Sequence, residues 1–99
     1  MKSVRFDSEA EAEFWEAASY YEDRRAGLGD EFTAEVERGL QRIAQMSRSF
    51  PQHGSSDLRK CILKRFPYTI FFLELDDHIW VAAVAHQRRR PNYWAHRQP

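Results

Sequence analysis

Hydrophobic positions change their period twice along this chain, and the changes divide it into elements. Val4 and Phe6 alternate with polar neighbours, which predicts a short first strand. Ser8-Glu9-Ala10-Glu11 then reads as a capping box, with Ser8 as cap and Glu11 reaching back, opening a helix over about residues 9–25. Its apolar face is Ala10, Phe14, Ala17, Ala18 and Tyr21 at three- and four-residue spacing. Gly27-Leu28-Gly29 ends that helix, because glycine tolerates the left-handed conformations that reverse a chain. Asp30 is the expected cap of a second helix over about 30–48, with the stripe Phe32, Val36, Leu40, Ile43 and Met46. Gly39 within it costs about 1 kcal/mol of helix propensity relative to alanine and leaves room for another backbone to come close.

Pro51 and Gly54-Ser55-Ser56 mark a loop, after which the period shortens. Leu58 to Phe66 is mixed, whereas Tyr68 to Leu75 and Ile79 to Ala85 are β-branched, aromatic and aliphatic runs. Pro67 separates the first two runs, since proline cannot donate to a ladder, and Asp76-Asp77 predicts a hairpin turn between the last two. The order is β-α-α-β-β-β. It predicts an α+β fold in which an N-terminal helical hairpin packs on one face of a small, mainly antiparallel sheet. Strict alternation along the last run would place Ile79, Val81, Ala83 and Ala85 toward the helices. His78, Trp80, Ala82, Val84 and His86 would then lie on the other face, with His86 opening onto the exposed side of the sheet.

Composition narrows the class. At 99 residues the chain is expected to be a single domain, residues 1–99, with one modest core. An apolar content of 42% argues for a packed globule over a disordered chain. No apolar run reaches the roughly 20 residues of a membrane span. A single cysteine, Cys61, allows no internal disulfide, and with no signal-peptide pattern the expected location is the cytoplasm. Formal net charge is zero but unevenly spread. Residues 1–50 carry 7 Lys/Arg against 11 Asp/Glu, and residues 51–99 carry 8 against 4, so the halves stand at −4 and +4. That asymmetry points to an acidic partner for the basic half, without the overall positive charge of a non-specific nucleic-acid binder.

Familiar catalytic patterns are missing. Cys61 among apolar neighbours reads as a buried, inert thiol. Serines 47, 49, 55 and 56 lack a hydrolase elbow, and Gly27-Leu28-Gly29 follows a helix, unlike a phosphate loop. His53, His78, His86 and His96 show no zinc-ligand spacing, so no metal and no cofactor is expected. The acidic residues of the first helix, Glu9, Glu11, Glu13, Glu16, Glu22 and Asp23, read as a solvated face. What remains is the segment His86 to Arg97, where twelve residues hold four arginines, two histidines, Tyr93 and Trp94 and no carboxylate. Guanidiniums beside aromatic rings suit phosphate, base or acidic-protein recognition. The candidate binding residues are Arg65, Tyr68, His86, Arg88, Arg89, Arg90, Tyr93, Trp94 and Arg97. Arg65, His86, Arg88, Arg90 and Tyr93 are the set expected to converge on a phosphate.

Several of these pieces carry a resemblance. Ala17-Ala18-Ser19-Tyr20-Tyr21-Glu22, Gly27-Leu28-Gly29-Asp30-Glu31-Phe32, and Ile43 followed by Phe50-Pro51 are joined by Arg65-Phe66-Pro67-Tyr68-Thr69-Ile70-Phe71-Phe72. Val81 to Pro91, with His86-Gln87-Arg88-Arg89, and then Tyr93-Trp94 and Arg97 complete the set. In this order they resemble the RelE/ParE superfamily of type II toxin–antitoxin toxins, and most closely its ParE-like, plasmid-stabilisation branch. The resemblance implies a growth-inhibiting toxin neutralised by a cognate antitoxin, with operator DNA met only through that antitoxin. It implies one of two targets. ParE-like members inhibit DNA gyrase without being nucleases, and RelE-like members cleave mRNA on the ribosome. For a nuclease, the resemblance would assign roles to Arg65, His86, Arg88 and Tyr93. A third reading is a non-toxic module that only binds its antitoxin.

Overall fold

The computed structural model describes residues 2–99. Its elements follow the expected order: β1 (Ser3–Phe6), α1 (Ser8–Arg24), α2 (Leu28–Met46), a single 3-10 turn at Ser47–Ser49, β2 (Arg59–Ile62), β3 (Tyr68–Glu74) and β4 (His78–His86). The four strands form one sheet in the order β1-β4-β3-β2. β1 runs parallel to β4, and the other two pairs are antiparallel. The hairpin predicted at Asp76-Asp77 closes with the Leu75 amide donating to the His78 carbonyl at 2.8 Å.

The helices cover one sheet face. Ala10, Phe14 and Ala17 of α1 and Phe32, Val36 and Ile43 of α2 meet Ile70, Phe72, Ile79, Val81 and Val84. Met46, assigned to the apolar stripe, is 59% exposed because the helix ends there, beyond the sheet. Gly39 makes room for side chains, not a backbone. A Cβ there would lie 3.2 Å from Ile70 Cδ1 and 3.5 Å from Leu63 Cδ2. Close backbone approach occurs instead at Gly29, where a Cβ would lie 2.7 Å from the Ala18 carbonyl oxygen.

Both expected helix caps are displaced. Asp7, one residue before Ser8, accepts the Glu9 and Ala10 amides through Oδ2, at 2.9 and 3.3 Å. A carboxylate one residue earlier reaches the open amides and also favours the helix dipole. α2 starts at Leu28, so Asp30 lies inside its first turn. Its N-terminus is covered from the other helix: the Glu22 carboxylate accepts the amides of Gly27 and Gly29 at 3.0 Å. Gly27 takes the left-handed φ of 88° that the tight reversal needs.

A β-bulge decides the faces of β4. Phe71 pairs with Ala83 but Phe72 pairs with Val81, which leaves Ala82 as an extra residue. Ile79 and Val81 meet the helices as alternation predicts. After the bulge the parity inverts: Ala83 and Ala85 join Trp80 and Ala82 on the opposite face, and Val84 turns to the helices. That opposite face is not open. The C-terminal segment crosses it and stacks Trp94 on Phe71, with ring centroids 4.0 Å apart and an interplanar angle of 26°. A second small core results, built from Phe71, Trp80, Ala82, Ala83, Ala85 and Trp94.

Candidate functional site

The inverted parity carries His86 to the helix side of the sheet edge, contrary to the expectation that it opens on an exposed face. It pairs across the strands with Tyr68, and the two rings meet edge to face at 5.1 Å. The chain then turns sharply. Gln87 donates its amide to the Pro67 carbonyl at 2.8 Å, and Arg89 donates to the His86 carbonyl at 3.0 Å. The Arg88 amide donates to His86 Nδ1 at 3.0 Å. A backbone amide only donates, so Nδ1 presents its lone pair and the neutral ring carries its proton on Nε2. A groove opens between this strand end and α1, lined by Glu13, Glu16, Tyr20, Tyr68, His86, Arg89 and Tyr93. Past Tyr20 and His86 it continues to Tyr21, Arg24 and Pro67, so every tyrosine of the chain borders it.

One wall of the groove is fixed by a carboxylate cluster. Glu13 accepts the Val84 amide at 3.1 Å, the Tyr93 hydroxyl at 2.6 Å, and both Arg97 Nη groups at 3.1 and 2.9 Å. The Val84 amide is left free for this contact because β1 stops pairing with β4 at Val81. The Arg97 side chain is only 4% exposed. It also reaches Glu9 at 3.3 Å and donates to the Ala82 carbonyl at 2.9 Å, while Asp7 lies 3.8 Å from its Nε. Nε itself has no hydrogen-bond partner among the described residues. Burial, the largest single influence, would lower the basicity of this guanidinium, but the Glu13 hydrogen bonds together with the charges of Glu13 and Glu9 outweigh it and hold Arg97 above its ordinary value.

Two of these phenols, Tyr68 and Tyr93, are held protonated well above the ordinary range. Burial, reinforced by the neighbouring tyrosines and Glu13, pushes Tyr68 up to about 12. Burial and then the Glu13 hydrogen bond raise Tyr93 further. Arg89 lies over the Tyr93 ring, 3.9 Å from its centroid, a cation–π contact.

The structure thus brings together Tyr68, His86, Arg89 and Tyr93 and separates the rest. Arg65, in the connection between β2 and β3, turns to α2, where its guanidinium pairs with Glu31 and its amide donates to Glu35 Oε2 at 3.0 Å. Arg88 and Arg90 project into solvent. Trp94 is buried in the second core, and Arg97 is enclosed by carboxylates. Glu13 and Tyr20 are site residues that the sequence reading missed. Glu13, counted as solvated, lies three residues after Ala10 and four before Ala17, on the flank of the buried stripe. That spacing is the signal that could have found it. Cys61 is buried as expected, its thiol raised by burial, with Arg42 Nη2 at 3.7 Å from its sulfur. Among the described residues no group of three or more His, Cys, Asp or Glu is placed to hold a metal ion. Nor is any helix among them long and apolar enough to cross a membrane.

An α+β fold with one helical hairpin, a four-stranded mixed sheet and an arginine-bearing segment after the last strand is that of small toxins of the RelE/ParE superfamily. A family model described as "ParE toxin of type II toxin-antitoxin system, parDE" matches residues 4–91. The chain belongs to that family. Among solved structures, a chain of the "Chromosomal ParDE TA system from P. aeruginosa" shares the fold with a TM-score of 0.75 at 13% identity. The match covers 87% of this chain and 96% of that one. No curated protein sequence matches the chain significantly.

Proposed function

We infer that this chain is a toxin that arrests growth by binding a macromolecular target in the cytoplasm, with DNA gyrase the first candidate, and that a cognate antitoxin neutralises it. Membership of the ParE toxin family supports the toxin class. The observation that carries binding over RNA cleavage is the commitment of Tyr93, whose hydroxyl donates to Glu13 at 2.6 Å and is held protonated. In an endoribonuclease a general base and positively charged donors converge on one phosphate. Of the four residues such a mechanism would use, Tyr93 is spent on Glu13 and Arg65 is paired with Glu31 away from the groove. His86 and Arg88 are left beside an aromatic and arginine-rich surface, the composition enriched in protein interfaces.

Purified toxin added to a gyrase supercoiling assay tests the reading directly. Inhibition, with a DNA-damage response on induced expression, is the expected result. Undiminished supercoiling at saturating toxin would remove gyrase as the target. New mRNA 5′ ends that vanish in His86→Ala would establish the nuclease reading in its place. Growth restored by co-expressing the neighbouring reading frame would identify the antitoxin.

A further inference from the structure

We propose that a second cleft, on the sheet face opposite the helices, is a docking site for an extended acidic polypeptide segment carrying a large apolar side chain. The cleft holds about 200 Å³ and lies between the terminal strand β2 and the turn that follows β4. Its floor is apolar, made by Phe71, Ala85 and Trp94, and Ile62 and Pro91 stand at its sides. Ile62 is 56% exposed, an aliphatic side chain on an edge strand left largely open to solvent. Two cations, Lys60 and Arg89, line the cleft, and no carboxylate does.

Neither cation is neutralised within the molecule: Lys60 and Arg89, and Arg88 and Arg90 on either side of Arg89, enter no salt bridge among the described residues. With no carboxylate among the lining residues to offset them, Lys60 and Arg89 complement an acidic chain. Nucleic acid fits less well. Stacking needs a free aromatic face. Phe71 and Trp94 are stacked on each other and only 6% and 5% exposed, and His53 packs its ring against both. The Tyr93 face is covered by Arg89. An aliphatic notch flanked by two cations suits alternating apolar and acidic side chains of an extended peptide, whose successive residues point to opposite sides. The antitoxin is the natural source of such a segment, and that assignment alone rests on the function proposed above.

The test uses the full chain and a fluorescein-labelled synthetic peptide of roughly ten residues that alternates Glu with Leu, long enough at ~3.3 Å per residue to cross the cleft. Fluorescence anisotropy should show binding that weakens with salt. Affinity should fall about tenfold or more in the double variant Lys60→Glu/Arg89→Glu. Arg5→Glu/Arg38→Glu, which makes the same charge change at two exposed positions outside the cleft, should leave it within about twofold, as expected of distant sites. Replacing the peptide's leucines by serine should abolish binding. Circular dichroism melts of each variant show that the fold is retained. Equal weakening by Arg5→Glu/Arg38→Glu, or binding untouched by Lys60→Glu/Arg89→Glu, overturns the proposal. It is also overturned if an oligothymidine outcompetes the peptide with the same variant dependence, which would make the cleft a nucleic-acid site. Because no gyrase or antitoxin enters the assay, failure here is separable from failure of the toxin reading.

Discussion

Replacing Glu13 by alanine removes the one carboxylate that joins α1, the bulged strand and the C-terminal segment. Four donor groups lose this acceptor: the Val84 amide, the Tyr93 hydroxyl and both Nη groups of Arg97. Breaking a buried ion pair by removing one partner typically costs 3–5 kcal/mol, because the other charge stays buried and uncompensated. Arg97 keeps Glu9 and the Ala82 carbonyl, so the lower end applies, about 3 kcal/mol. With an unfolding entropy of ~2.1 cal/mol/K per residue over 99 residues, this lowers Tm by roughly 14 °C. Thermal melts of Glu13→Ala, Arg97→Met and the double variant form a cycle. The double variant should melt closer to wild type than the two single losses sum to, since it buries no orphaned charge. Hydrogen exchange at the Val84 amide should accelerate in Glu13→Ala. A Tm loss under ~3 °C, with that amide still protected, would refute the idea that Glu13 holds the tail in place.

Trp94→Ala empties the second core and should cost about 3–5 kcal/mol in denaturant melts, with proteolysis beginning after His86. Gly29→Ala forces a Cβ to within 2.7 Å of the Ala18 carbonyl, so the hairpin must shift; it should destabilise by about 1–3 kcal/mol despite alanine's helix propensity. On the acid side, the Arg65 hydrogen bond holds Glu31 below its ordinary 4.5. Its contribution is present above that value and is lost as pH falls through the lowered one, so Arg65→Met should flatten the acid limb of a Tm–pH curve. On the alkaline side, Tyr68 is raised from 10.0 to about 12. Stability should therefore fall as pH rises from 10.0 toward 12, with tyrosinate absorbance tracking the loss. Arg88→Glu with Arg90→Glu changes two solvent-exposed side chains and should move stability by only about 0.5 kcal/mol. The same pair should weaken growth arrest, read as colony counts on induction.

By itself the sequence determined the order of elements, the hairpin of helices, the core stripes and the segment where the arginines gather. Those follow from local period and turn chemistry, which act within a few residues and leave their mark there. Tertiary structure alone decided how that segment is used. An extra residue at Ala82 inverted the parity of β4 and moved His86 to the helix side; a run of alanines gives no local signal of which face is buried. Parity is a property of pairing with β3, so only the partner strand could reveal it. The basic tail divided in the same way. Arg97 and Trp94 became structural because Glu13 and Phe71, remote in sequence, accept them, while Arg88, Arg89 and Arg90 stayed outside. Composition marked a cluster of positive charge, and contacts across some eighty residues determined which of those charges remain free to meet a partner.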